Sequence, residues 1–316
     1  MTDSRHVVVA SMLGTATDAL VREATGVSIQ PLGDDLDKAA ASADVLWIWP
    51  KGPLLARNKA PKPAGWPARV KWVQFIGTGA DMCAPWLFEG VPFTCTRGLL
   101  AGPISEHCLT AIFTLARRWD DIRVRSPAQW KAGLVKPVAG TTLAVIGLGS
   151  IGVELAWRAR GCGMRVLGIK RSPGPGPEGV EMFDRLDDML PLADHVVAAM
   201  PSTPQTRNML DASFFAKMKR GAHVINVARG DVLDQEALLA ALDSGQVGYA
   251  TLDVTLPEPL PEGHPLYAHP NVRISPHMSG HISDENSRFA PHFIANLQRF
   301  IKGEPVQDVI DLARGY

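Results

Sequence analysis

Leu143-Ala144-Val145-Ile146-Gly147-Leu148-Gly149-Ser150-Ile151-Gly152 runs from four apolar residues of strand length into three glycines spaced G-x-G-x-x-G, then into a helix-like pattern over Ile151–Arg160. In a chain with 29 glycines that spacing arises readily by chance, and a glycine turn can serve packing alone. The strand before it and the helix after it give the stretch its meaning as a dinucleotide-binding turn. Gly147 then allows a tight turn, Gly149 the close approach of a pyrophosphate, and Gly152 close packing of helix on strand. Ser150, Ile151 and Gly152 open the helix, where free amides and the positive dipole end attract phosphate.

Outward from this turn the pattern repeats. Arg165–Ile169, His195–Ala199, Ala222–Val227, Tyr249–Val254 and Val272–Ser275 are further apolar or β-branched runs, with helical spacing between several of them, as at Glu236–Leu242. Six strands alternating with helices predict a doubly wound parallel sheet. The first hundred residues hold a second α/β pattern, with β-rich runs at Val7–Ala10, Val45–Trp49 and Val70–Ile76. The proline-rich piece Pro50–Pro67 interrupts it and is expected to be an ordered surface loop, because its prolines remove donors and fix φ. Glu106–Arg118 is a candidate connecting helix, and Asn286–Lys302 a helix that packs back on the first domain.

A length of 316 residues favours two domains. Hydrophobic residues at 46% against 20% charged supply enough apolar material for two cores. Lys plus Arg equals Asp plus Glu at 32 each, so no overall field draws nucleic acid or an anionic membrane, and neither is an expected partner. Cys83, Cys95, Cys108 and Cys162 show neither C-x-x-C nor zinc spacing. They read as reduced thiols of a cytoplasmic protein, with no metal expected. No apolar run approaches a membrane span, and the amino-terminal residues lack an export pattern.

Eighteen residues beyond Gly152, where an acid would bond the ribose 2′-hydroxyl of NAD, stand Lys170, Arg171 and Ser172. Two cations and a hydroxyl suit a 2′-phosphate, which an Asp would repel. The expected cofactor is therefore NADP(H), with NAD(H) as the alternative. The competing reading is a solvated loop with incidental charge.

With these residues in view the chain resembles the D-isomer-specific 2-hydroxyacid dehydrogenases, most of all their glyoxylate/hydroxypyruvate reductase-like members. Gly77-Thr78-Gly79-Ala80-Asp81, the 147–152 turn, Asn226-Val227-Ala228-Arg229-Gly230, Leu252-Asp253-Val254 through Glu258-Pro259, and Ser275-Pro276-His277 carry the resemblance. It implies an α/β fold of two doubly wound parallel-sheet domains. A Rossmann cofactor domain, 102–283, is inserted into a flavodoxin-like substrate domain, 1–101 and 284–316. A cleft between the two would close to exclude water.

The resemblance also assembles a site that periodicity would not. Arg229 is implied to hold the substrate carboxylate and polarise the keto oxygen, a task for a permanently charged planar fork. His277 is implied to be the acid in reduction and the base in oxidation, with Glu258 orienting its ring and raising its pKa. Thr78 and Gly79 match the loop that binds substrate carboxylate. Met200, Pro201, Thr206, Val227, Ala228, Asp253, His277 and Gly280 match residues around the cofactor, with Asp253 facing the nicotinamide carboxamide. Thr255 stands where many relatives have an aromatic residue. His281 reads as a cofactor-side or surface residue, with a substrate contact as the alternative. Family members usually form homodimers through the cofactor domain, so a homodimer is expected.

The expected reaction is hydride transfer between NADP(H) and a small 2-keto acid/D-2-hydroxy acid pair. Two alternatives remain open. One is an NAD-dependent dehydrogenase of a larger or aromatic D-2-hydroxy acid, prompted by Trp47, Trp49, Trp66, Trp72 and Trp86, residues more often found in cores. The other is a dinucleotide-sensing corepressor-like binding protein.

Overall fold

Alternating apolar runs and helical spacing become two parallel sheets, each with its own core. The computed structural model describes residues 7–33, 35–49, 54–55, 61–172, 174–283 and 285–312. Residues 1–6, Asp284 and, within the Pro50–Pro67 stretch, 50–53 and 56–60 lie outside this description, and so do the expectations that fall on them. The chain divides into two compact units, Met1–Leu99 with Ile282–Tyr316, and Leu100–His281.

In the first unit β1 (Val8–Ser11), β2 (Ser28–Pro31), β3 (Val45–Ile48), β4 (Trp72–Phe75) and β5 (Phe93–Thr94) pair in parallel in the order β2-β1-β3-β4-β5. This is the flavodoxin-like order. β2 and β5 escaped the sequence reading. β2 is a half-exposed edge whose Ser-Ile-Gln-Pro carries little apolar signal, and Pro31 sits at its end, where no ladder donor is needed. β5 is two residues long.

The centre of this core is aromatic. Phe293, from the helix Glu285–Lys302, stacks on Trp47 with ring centroids 4.0 Å apart and on Trp72 at 5.4 Å. A fully buried large apolar side chain contributes about 1.5–3 kcal/mol, so these rings hold the carboxy-terminal helix to the sheet. Trp66 and Trp86 are buried as well, 4.9 Å apart in an edge-on pair. Four of the five tryptophans that prompted an aromatic substrate are therefore core residues.

The second unit holds β6 (Thr142–Ile146), β7 (Arg165–Ile169), β8 (Glu181–Met182), β9 (His195–Ala198), β10 (Ala222–Asn226), β11 (Val247–Leu252) and β12 (Val272–Ile274). All pair in parallel in the order β12-β11-β10-β9-β6-β7-β8. The strand order runs outward in both directions from β6, the Rossmann arrangement, with one strand more than the six expected. β8 was missed because two half-exposed residues make no pattern. β6 is buried at all five positions because helices cover both faces of a central parallel strand. The order reverses between β6 and β9, so their carboxyl ends open the crevice in which such sheets bind ligands. Among the described residues no helix is long and apolar enough to cross a membrane.

Candidate active site

The glycine turn leaves the carboxyl end of β6 and enters the helix Ser150–Gly161. Gly147 has φ +98°, and a Cβ there would lie 2.9 Å from the Ala199 carbonyl and the Met200 amide. Both conformation and space demand glycine. A Cβ on Gly152 would run into the carbonyl oxygen of Gly147, so the third glycine lets the helix close onto the turn. Gly149 differs, with nothing within 4 Å of a Cβ placed on it and no side-chain cap at the helix start. Packing does not require glycine there. The open position beside the free amides of the first helical turn fits the approach of a pyrophosphate.

Lys170 directly follows β7, and Arg171 and Ser172 are exposed beyond it. The Lys170 ammonium donates to the Pro175 carbonyl at 2.8 Å. No acid stands at 170–172. These residues could take a phosphate at the end of the second strand.

Three further strand ends carry the candidate reacting groups. Arg229 follows β10, which ends at Asn226, in a turn whose Val227 and Ala228 are buried. Asn226 ties this turn by accepting from the Ala228 amide at 3.0 Å and donating to the Arg229 carbonyl at 2.9 Å. The Arg229 guanidinium donates to the Ala228 carbonyl at 2.8 Å. A Cβ on Gly230 would strike the Thr255 carbonyl, so glycine lets the Arg229 turn lie against the loop that carries Glu258.

Glu258 and His277 meet in that region, with His277 Nδ1 3.0 Å from Glu258 Oε2. Oε1 accepts from the Thr255 amide at 3.2 Å. Burial would raise the Glu258 pKa, but the His277 hydrogen bond and charge, the Thr255 amide and the Arg229 field outweigh it and hold the carboxyl below its usual value. Glu258 is thus a stable anion against which an imidazole can sit with a fixed ring orientation. With Nδ1 turned to Glu258, Nε2 is the nitrogen left for a reacting oxygen.

His277 has φ +51°, an uncommon conformation for a non-glycine residue. Asp253, at the carboxyl end of β11, holds it there. The Asp253 carbonyl accepts from the His277 amide at 2.8 Å. Its carboxylate accepts from the Ser275 hydroxyl at 2.6 Å, the Met278 amide at 2.9 Å and the Ser279 amide at 3.0 Å. Burial alone would raise this pKa, and the hydrogen bonds bring it below the usual value. Asp253 was expected to face the cofactor. Its buried carboxylate is engaged by the 275–279 loop, an anchoring role that sequence spacing did not disclose. Residues 22 to 26 positions apart meet only because β11 and β12 are neighbours.

The remaining expected residues lie in loops of the second unit or in the first unit. Met200 is buried, and the Thr206 hydroxyl donates to the Pro201 carbonyl at 2.8 Å, stapling the loop beyond β9. Gly280 lies where a Cβ would be 3.2 Å from Leu100. His281 is exposed, its amide donating to the Met278 carbonyl. In the first unit Thr78 and Gly79 follow β4, and the Gly77 amide donates to the Thr96 hydroxyl at 2.9 Å beside the end of β5.

Comparison with known proteins places this architecture among related enzymes. The chain is 32% identical over 316 residues to D-3-phosphoglycerate dehydrogenase 2, chloroplastic, of Arabidopsis thaliana; the match covers 95% of this chain but 49% of the plant protein, about half its length. It is 29% identical over 287 residues to glyoxylate/hydroxypyruvate reductase A of Serratia proteamaculans, covering 87% of this chain and 88% of that one. The crystal structure of an NADPH-dependent glyoxylate/hydroxypyruvate reductase from Sinorhizobium meliloti, in complex with NADP and sulfate, superposes with a TM-score of 0.79 at 27% identity, covering 98% of this chain and 99% of that one. Residues 109–279 match the NAD binding domain of the D-isomer specific 2-hydroxyacid dehydrogenases, so the chain belongs to that family.

Proposed function

We propose that this chain is a reductase that converts a small 2-keto acid, of the glyoxylate or hydroxypyruvate kind, to the D-2-hydroxy acid with NADP(H), and that NAD(H) is the poorer cofactor. The observation that carries the reading is the His277–Glu258 pair, 3.0 Å apart, at the carboxyl end of the sheet that bears the glycine turn. The names of the Serratia and Sinorhizobium relatives support the substrate class, and the NADP in the latter supports the cofactor.

In this reading Gly147, Gly149, Ser150, Ile151 and Gly152 receive the pyrophosphate, and Lys170, Arg171 and Ser172 the 2′-phosphate. Met200, Pro201, Thr206, Val227, Ala228 and Gly280 flank the rest of the cofactor, which supplies a hydride to the keto carbon when bound. Arg229 holds the substrate carboxylate and draws electron density toward the keto oxygen. His277 Nε2 delivers the proton that this oxygen takes up as the hydride arrives, while Glu258 stabilises the imidazolium. The first unit serves as the substrate domain, with the amides of Thr78 and Gly79 as its carboxylate-binding groups.

The protein acts in the cytoplasm, a reading supported by four unpaired cysteines. It works as a homodimer joined through the cofactor domain, which exposes Phe113, Trp119, Trp130, Leu134 and Trp157.

A panel of 2-keto acids assayed with NADPH and with NADH, following reduced-cofactor absorbance, tests the function. Glyoxylate or hydroxypyruvate with NADPH is expected to give the highest kcat/KM. Tight cofactor binding without turnover of any keto acid would overturn it and favour a sensing protein. Light scattering in solution tests the dimer.

A further inference from the structure

We infer that Gln235 is a positioning residue for the acid–base pair, fixing the loop that aims Glu258 at His277; this rests on the reading of that pair given above. Gln235 is the first residue of the helix Gln235–Asp243, whose start is set by Asp234 accepting from the Glu236 and Ala237 amides at 3.0 Å each. From this base the Gln235 carboxamide grips both backbone groups of one distant residue. Its Nε2 donates to the Leu256 carbonyl at 2.7 Å, and its Oε1 accepts from the Leu256 amide at 3.0 Å. Leu256 is 57% exposed, so apolar burial does little to hold that residue.

The grip passes to Glu258 in two steps. Thr255, the neighbour of Leu256, is buried; its hydroxyl donates to the Pro257 carbonyl at 2.9 Å and its amide donates to Glu258 Oε1 at 3.2 Å. The other oxygen of the same carboxylate faces His277 Nδ1. One carboxamide thereby sets the loop, the loop sets one oxygen of Glu258, and the second oxygen is left at hydrogen-bond distance from the imidazole. Only an amide side chain carries both a donor and an acceptor in this arrangement; Glu keeps the acceptor alone. Thr255, a departure from the aromatic residue of many relatives, supplies the hydroxyl that closes the turn.

A double-mutant cycle of Gln235→Ala and Glu258→Gln tests the inference. Keto-acid kcat and KM, cofactor Kd by fluorescence, and Tm are measured for each variant. Gln235→Ala is expected to lower kcat about tenfold, a fraction of what general acid catalysis supplies, with cofactor Kd and Tm little changed. It is expected to add no further loss in the Glu258→Gln background, where no carboxylate remains to be aimed. A loss confined to kcat, with KM near the unmodified value, separates the aiming of Glu258 from a general defect; Arg229 is the other charge acting on Glu258.

Wild-type kcat in Gln235→Ala, or losses that multiply in the double variant, would overturn the positioning role while leaving the acid–base pair standing. Wild-type kcat in Glu258→Gln would instead remove the pair itself, and this inference with it. If Gln235→Ala folds poorly, Gln235→Glu replaces it in the same cycle, with a smaller loss expected because the Leu256 amide keeps its acceptor.

Discussion

His277, beyond the carboxyl end of β12, and the pair His195–His223, near the amino ends of β9 and β10, lie in one unit and differ in every respect that governs an imidazole. His277 keeps about a third of its side-chain surface exposed and faces a carboxylate. His195 and His223 are 7% and 2% exposed, lie with their Nδ1 atoms 3.4 Å apart, and bond onward through His223 Nε2 and the Thr251 hydroxyl at 2.9 Å. Burial lowers the His195 pKa to about 4 against the Asp194 charge that raises it, and drives that of His223 well down, with the positive charge of Arg273 acting in the same direction. Two histidines closed between strands are kept neutral, while the one at the open strand end can exchange a proton. The lesson is that the carboxyl ends of this sheet are built for chemistry and the amino ends for packing.

The largest expected effect separates the two ends by activity. Replacing His277 should lower keto-acid reduction by about 10²–10⁴-fold with cofactor Kd nearly unchanged. His277→Asn is the better variant than Ala, because Asn tolerates the left-handed backbone. Wild-type turnover in His277→Asn would remove the residue from the mechanism and break the contrast.

Acid stability comes next. Between pH 6.5 and about 4 the unfolded chain protonates a histidine that folded His195 keeps neutral. The unfolded state then binds more protons, so stability falls as pH falls through that window, by on the order of 3 kcal/mol for His195. Urea unfolding at pH 7.5 and pH 5 should show a smaller drop for His195→Gln than for the unmodified protein. An equal drop in both would deny the buried pair its role in acid sensitivity.

The smallest effect lies at the end of β7. Lys170→Ala or Arg171→Ala should reduce the NADPH-to-NADH ratio of kcat/KM by about tenfold, the scale of one exposed charge-assisted hydrogen bond. An unchanged ratio would reduce these cations to loop chemistry, such as the bond from Lys170 to the Pro175 carbonyl.

Much of this is legible in the sequence. The β6 strand and its glycine turn announced themselves because backbone geometry dictates residue type there: positive φ at Gly147 and a carbonyl in the way of any Cβ at Gly152. Central strands read clearly because burial on both faces leaves continuous apolar runs. The two-residue strands β5 and β8 and the edge strand β2 did not, since their pairing rests on backbone bonds that impose no composition. Arg229, Glu258 and His277 entered as one set through family resemblance, and the 3.0 Å contact between Glu258 and His277 is what the fold adds to it.

The amino-acid sequence by itself determined the alternation of strands and helices, the dinucleotide turn and the identity of the groups able to hold an anion or move a proton, because these follow from local sterics and side-chain chemistry. Tertiary structure alone decided that Asp253 anchors the His277 loop, that Gln235 grips Leu256 across 21 residues, and that His195 and His223 meet. These are contacts between neighbouring strands and loops, and strand order is a property of the whole sheet that no short stretch of chain encodes.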